Sequence, residues 1–201
     1  MTLIVNETKL KIDFTFALTV SLMLLLCKQD TVIISLLSSC LHEIGHLFFM
    51  YIFHQKINSV TFGAFGVRIE RQMTSAVSYK KEAVIALGGI LVNFIIAGIG
   101  AIYYYVAGDS FSLELTAVNI IIAIFNMIPL DTLDMGRVLR YTLLNKVDEN
   151  KCDRILTVIS VVFVNFILIG CIAFNMLIGF NLSLVIVTAY LYVITLFKKW
   201  S

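Results

Sequence analysis

Two long stretches of the chain, residues 83–108 and 155–197, contain no charged side chain. A transmembrane helix needs about 20 consecutive, mainly apolar residues, so the first stretch predicts one crossing. The second is long enough for two if it turns at Gly179-Phe180-Asn181, where glycine and asparagine punctuate the apolar run. Three further runs are shorter or interrupted. Residues 31–53 are apolar apart from His42, Glu43 and His46; residues 115–130 are uncharged, and the run continues to Leu133 past Asp131; residues 14–27 form the shortest run. The pattern predicts an all-α polytopic membrane protein with six transmembrane helices. Between the second and third spans, Val60 to Glu70 is rich in β-branched and aromatic residues and holds two glycines. It predicts a short β-hairpin-like segment over about 60–70, either a connection at the membrane surface or an exposed strand edge that receives an extended peptide.

Composition agrees with this pattern. Of 201 residues, 60% are hydrophobic and 14% charged, and the mean hydropathy is +0.96, whereas a soluble domain carries about 25% charged residues. The net charge of +2 gives no argument for a nucleic-acid partner. Cys27, Cys40, Cys152 and Cys171 lie mostly in apolar surroundings without CxxC spacing, as buried small hydrophobes do. Asp13 and the lack of a small-residue cleavage site argue that residues 14–27 are a retained span rather than a signal peptide.

Charge also orients the spans, because Lys and Arg accumulate in short cytoplasmic loops. Six spans put the N-terminus, residues 54–82, residues 137–154 and the C-terminus on one face. That face collects 14 of the 15 cations and leaves Lys28 alone on the other. A multi-pass protein of a bacterial cell membrane with both termini cytoplasmic is expected, built as a single domain over 1–201 with no appended soluble module.

The chemistry concentrates in His42-Glu43-Ile44-Gly45-His46. Residues four apart on a helix share a face, so both imidazoles reach one ion, and Glu43 stands beside them to handle the proton of an attacking water. This is the HExxH pattern of zinc hydrolases, expected by chance in roughly one such sequence in a thousand. Incidental ionisable residues at mid-membrane are costly, which weighs against a purely structural reading. A catalytic zinc takes three protein ligands and leaves one position open. His54 lacks the metzincin spacing and reads as an interfacial residue, so the third ligand is expected to be a carboxylate. Asp131 and Asp134 follow Pro129, the one proline of the chain; either is a ligand or a helix cap paired with Arg137 or Arg140.

With these motifs in place the chain resembles the site-2 protease family of intramembrane zinc metalloproteases, in particular its compact bacterial branch associated with sporulation. His42 to His46 match the family's first motif. Asn126, Pro129 and Leu133-Asp134-Met135-Gly136-Arg137 are similar to its second, with Thr132 and Met135 departing from the usual proline and glycine. The resemblance implies that Asp134 is the third zinc ligand and Asn126 the motif's asparagine, which binds substrate or stabilises an oxyanion. Gly89-Ile90-Leu91-Val92-Asn93 is similar to the family's Gly-Pro-x-x-Asn without its proline, leaving Asn93 a substrate contact or an interhelical hydrogen bond. It further implies a membrane-tethered protein substrate such as a pro-sigma or anti-sigma factor, cut near the cytoplasmic side, and a regulatory or inhibitory membrane partner. The alternatives are a CAAX-type or heat-shock-type membrane zinc protease, which would need a later glutamate as ligand, and a nonproteolytic metal-binding membrane protein.

Overall fold

The computed structural model describes residues 2–5, 8–26, 29–63, 66–71 and 77–198. Cys27, Lys28, Lys199 and residues 64–65 of the hairpin segment, all part of the sequence reading, lie outside them. The described residues form an all-α membrane fold with a small sheet. Three helices, α2 (Gln29–Ile52), α3 (Tyr79–Ala107) and α6 (Glu149–Leu177), are long and apolar enough to cross a bilayer. The other apolar helices are shorter: α1 (Phe14–Leu26), α4 (Ser110–Asn126) and α7 (Leu182–Lys198). The remaining helix, α5 (Asp134–Leu144), follows Pro129.

The helices begin and end where local chemistry dictates. Gly108 takes the left-handed conformation (φ 68°) and donates its N–H to the Tyr104 carbonyl, which closes α3 in the usual way of a glycine beyond a helix end. Asp109 then accepts from Ser112 N at 2.9 Å and opens α4, so this helix starts before the uncharged run that predicted it. The Ser112 hydrogen bonds hold the exposed Asp109 carboxyl below its ordinary pKa. The expected turn after α6 is present: Gly179 has φ 136°, and Asn181 Oδ1 accepts from Leu184 N at 3.0 Å to start α7.

The chain divides into two compact units, Met1–Ile124 and Phe125–Ser201. In the first, β1 (Thr2–Val5), β2 (Thr8–Ile12), β3 (Ile57–Gly63) and β4 (Gly66–Arg71) form one sheet in that order. The β3–β4 pair is the expected hairpin. The strands β1 and β2 are an addition to the predicted architecture: β2 runs parallel to β3, with Lys9 opposite Ser59, and β1 turns back antiparallel. Helices α1 and α2 therefore leave the sheet at β2 and return to it at β3. Helices α2 and α3 touch backbone to backbone at two glycines. A methyl group on Gly88 would stand 2.5 Å from the Gly45 carbonyl oxygen, so neither position accepts a side chain.

In the second unit, α6 and α7 enclose Leu130, Val164 and Leu191. Between α4 and α5 the chain makes tight turns, with Ile128 N–H bonded to Phe125 O and Leu133 N–H to Leu130 O. Gly136 is required there because a Cβ would collide with the backbone of Leu130 and Asp131. Met135, the departure from the family pattern, sits in the first turn of α5 and needs no glycine conformation.

Candidate metal centre

Helix α2 has two faces. Ile33, Leu37, Leu41, Ile44 and Phe48 are exposed, while Ser38, His42, Gly45 and His46 are buried. Apolar outside and polar inside is the arrangement that lipid selects. The two imidazoles meet edge to face, with centroids 4.9 Å apart, as their spacing predicts.

Hydrogen bonds settle which nitrogens face inward. His46 Nδ1 lies 2.8 Å from the carbonyl of Ile85 on α3; a carbonyl can only accept, so Nδ1 carries the hydrogen. His42 Nδ1 lies 2.5 Å from Asn93 Oδ1, again an acceptor. Both rings therefore turn an Nε2 lone pair inward, and these two atoms are 3.2 Å apart. Two lone pairs at that distance repel, and a cation between them converts the repulsion into ligation, since neutral imidazole binds metals through such a nitrogen.

Helix α3 leaves room for that cation. A Cβ on Gly89 would lie 2.5 Å from His42 Nε2 and 2.6 Å from His46 Nε2. Any other residue here would fill the place where the two nitrogens point. The donor chemistry and the cradle together fit a metal ion. Glu43, next to His42 on α2, is half-buried.

Of the two roles the sequence leaves open for Asn93, the structure shows the interhelical one: it is fully buried, bonded to His42 on α2 and, through Nδ2, to Asn119 Oδ1 on α4 at 2.7 Å. Asn119 and Ser38 are residues that sequence reasoning passed over. The signal available was a polar side chain in each of two apolar runs.

The second unit holds the remaining predicted residues. Asp131 is gripped by Arg140 through two bonds, Nε to Oδ1 at 3.0 Å and Nη2 to Oδ2 at 2.9 Å. Arg140 also reaches Asp153 at 2.8 Å. The Asp131 carboxylate raises the pKa of the guanidinium above its ordinary value, so the Arg140 side chain stays charged at every accessible pH. Asp134 is the first residue of α5 and is buried, where the helix dipole stabilises a carboxylate. Its contact with Arg137 is 3.7 Å long. Asn126 ends α4 and is half-buried. His54 lies beyond α2 in a left-handed conformation (φ 56°), with its ring on the Ile52 carbonyl.

The glutamates that a CAAX-type or heat-shock-type enzyme would need also have places. Glu82, Glu114 and Glu149 fall within the polar starts of α3, α4 and α6, each before the uncharged run of its helix. Glu82 pairs with Arg71, Glu114 accepts from Thr31, and Glu70 in β4 accepts from Ser59.

No protein-family model matches the chain, and no curated protein does. A solved structure does match. The site-2 protease from Methanocaldococcus jannaschii is 23% identical and superposes with a TM-score of 0.70, covering 96% of this chain and 91% of that one. The chain has the fold of a site-2 protease. The likeness covers nearly the whole chain, and the histidine pair on α2 and its glycine bed on α3 are features of this chain's own side chains within that fold.

Proposed function

We propose that the protein is an intramembrane zinc endopeptidase that cuts membrane-tethered regulatory proteins. The observation that carries this reading is the buried pair of Nε2 atoms facing the Gly89 cradle, with Glu43 next to His42 on the same helix, in a fold shared with a site-2 protease. His42, His46 and Asp134 are the proposed ligands. Asp134 is preferred over Asp131 because the latter is already held by Arg140 in a two-bond pair. A zinc ion bound there supplies Lewis acidity, lowering the pKa of water toward about 7 and polarising a peptide carbonyl.

The remaining work falls to the chain. Glu43 takes the proton of the attacking water and returns it to the leaving amine, a transfer typically contributing about 10²–10⁴-fold. Asn126 is assigned to the substrate backbone or the oxyanion; Asn93 is left out of that role because its amide is engaged inside the protein. A helical substrate must unwind before attack, since its carbonyls are bonded within the helix, and the 60–70 segment, whose strand β4 is an edge of the sheet, is the proposed clamp for the unwound strand.

Topologically we propose six spans in a bacterial cell membrane, both termini cytoplasmic, the whole chain acting as one protease domain. Cleavage then falls near the cytoplasmic side, on a substrate such as a pro-sigma or anti-sigma factor, with an inhibitory membrane protein as regulator. The function is tested with purified protein and a single-span reporter. Cleavage near the cytoplasmic end of the reporter's span should vanish on chelation and return with zinc. Cleavage that survives exhaustive chelation overturns the metalloprotease reading. For topology, a cysteine introduced at Ser110 should react with an external impermeant reagent and one at Ser78 should not; the reverse pattern refutes the orientation.

A further inference from the structure

The bonds joining Asn93 and Asn119 have a direction, and it is set at the end remote from the histidines. The Leu115 carbonyl can only accept, so the Asn119 atom 2.8 Å from it is the amide nitrogen. That nitrogen gives its other hydrogen to Ser38 Oγ, 2.9 Å away. The oxygen of Asn119 is therefore the atom that faces Asn93, at 2.7 Å, and there it needs a donor, which Asn93 Nδ2 provides. This turns Asn93 Oδ1 toward His42, where it accepts from Nδ1 at 2.5 Å.

We propose that this chain of hydrogen bonds, from the Leu115 carbonyl through Asn119 and Asn93, is a built-in selector of the His42 tautomer, making both asparagines positioning residues for the metal ligand. Neither asparagine touches the metal; each acts through the next. An imidazole in water prefers its hydrogen on Nε2, the atom needed for ligation. The chain reverses that preference before any ion arrives, so binding requires no tautomer change and no ring rotation. Asn93 and Asn119 are both 0% exposed, so water does not compete for these bonds. Ser38 lies one helical turn before His42 on α2, so the chain closes back on the helix whose histidine it controls. The relay rests on the reading of His42 and His46 as ligands, but its test does not depend on proteolysis.

The protein has three histidines, so nitrogen NMR of metal-free, ¹⁵N-histidine-labelled protein in detergent and alkaline buffer resolves each ring. Wild type should show His42 and His46 both with hydrogen on Nδ1. In Asn93→Leu and, more weakly, Asn119→Leu, His42 should gain the Nε2–H form while His46, held by Ile85, stays unchanged. Zinc affinity measured by chelator competition should fall about 10–100-fold in Asn93→Leu. Asn93→Asp keeps an acceptor opposite Nδ1 and should retain zinc far better than Asn93→Leu. The relay is overturned if His42 of wild type carries its hydrogen on Nε2, if Asn93→Leu leaves tautomer and affinity unchanged, or if Asn93→Asp loses as much affinity as Asn93→Leu, the mark of a packing role. A wild type with the stated tautomers that binds no zinc overturns the metal reading instead.

Discussion

Both units have apolar cores, and they differ in the polar groups buried beside them. The first buries Ser38, His42, His46, Asn93, Ser112 and Asn119 beside Val32, Ile34, Ile85 and Ile90; the second buries Leu130, Leu156, Val164 and Leu191 with Asp134, Ser160 and Thr188, and pairs Arg140 with Asp131 and Asp153. In lipid, burying an apolar side chain gains little hydrophobic energy, because hydrocarbon is equally apolar, and association depends on close packing and hydrogen bonds. A polar interior is therefore costly unless every group is paired. The pairing found in the first unit converges on the Nε2 atoms of His42 and His46. The contrast teaches that what sets the first unit apart is a hydrogen-bonded polar cluster around the two histidines.

The largest effect should come from the carboxylate of the second unit that is proposed as a ligand. Asp134→Asn is expected to be inactive with weakened zinc binding, whereas Asp131→Asn should keep zinc and lose about 1–3 kcal/mol of stability with its bonds to Arg140. Zinc lost from the Asp131 variant and kept by the Asp134 variant would move the second motif by three residues. The glycines sharpen the same contrast. Gly89→Ala should abolish stoichiometric zinc while leaving helicity and thermal unfolding near wild type; Gly136→Ala, which collides with backbone, should lower the unfolding temperature and with it everything else. Equal zinc content in Gly89→Ala and wild type would remove the cradle from the account.

Within the scaffold, Leu156→Ala is expected to cost about 2–5 kcal/mol by leaving a cavity, with the zinc affinity of the folded fraction unchanged. A shift in that affinity would show that the two interiors are not separable in function. The smallest effect is a pH dependence. Asp109 has its pKa lowered by Ser112, so its capping of α4 is present above the ordinary aspartate range and is lost as the pH falls through the depressed value. Circular dichroism between about pH 5 and pH 2 should show less acid loss in Asp109→Asn than in wild type.

How much of this was legible in the chain depends on the period of each signal. The apolar runs announced α2, α3, α6 and α7, and HExxH announced the histidine face, because one helix carries both histidines. The strands β1 and β2 were hidden although Lys9-Leu10-Lys11-Ile12 alternates with period two; a run of four is short, and its partner β3 lies across two helices. The roles of Gly89 and Asn119 were invisible for a related reason. Each matters only through what lies opposite on another helix, and a single sequence does not give interhelical register. Asp131 and Asp134 could not be told apart by spacing, and what separates them here is a guanidinium nine residues downstream of Asp131 that occupies it.

The central claim is that Glu43 works on water while the histidines work on the metal, and one paired measurement on Glu43→Gln tests it most directly. Zinc content of the purified variant and cleavage of a co-expressed membrane substrate are read together. The account predicts stoichiometric zinc, as in wild type, with cleavage reduced by at least about 100-fold. Measurable wild-type turnover in this variant, or loss of its zinc, would contradict it.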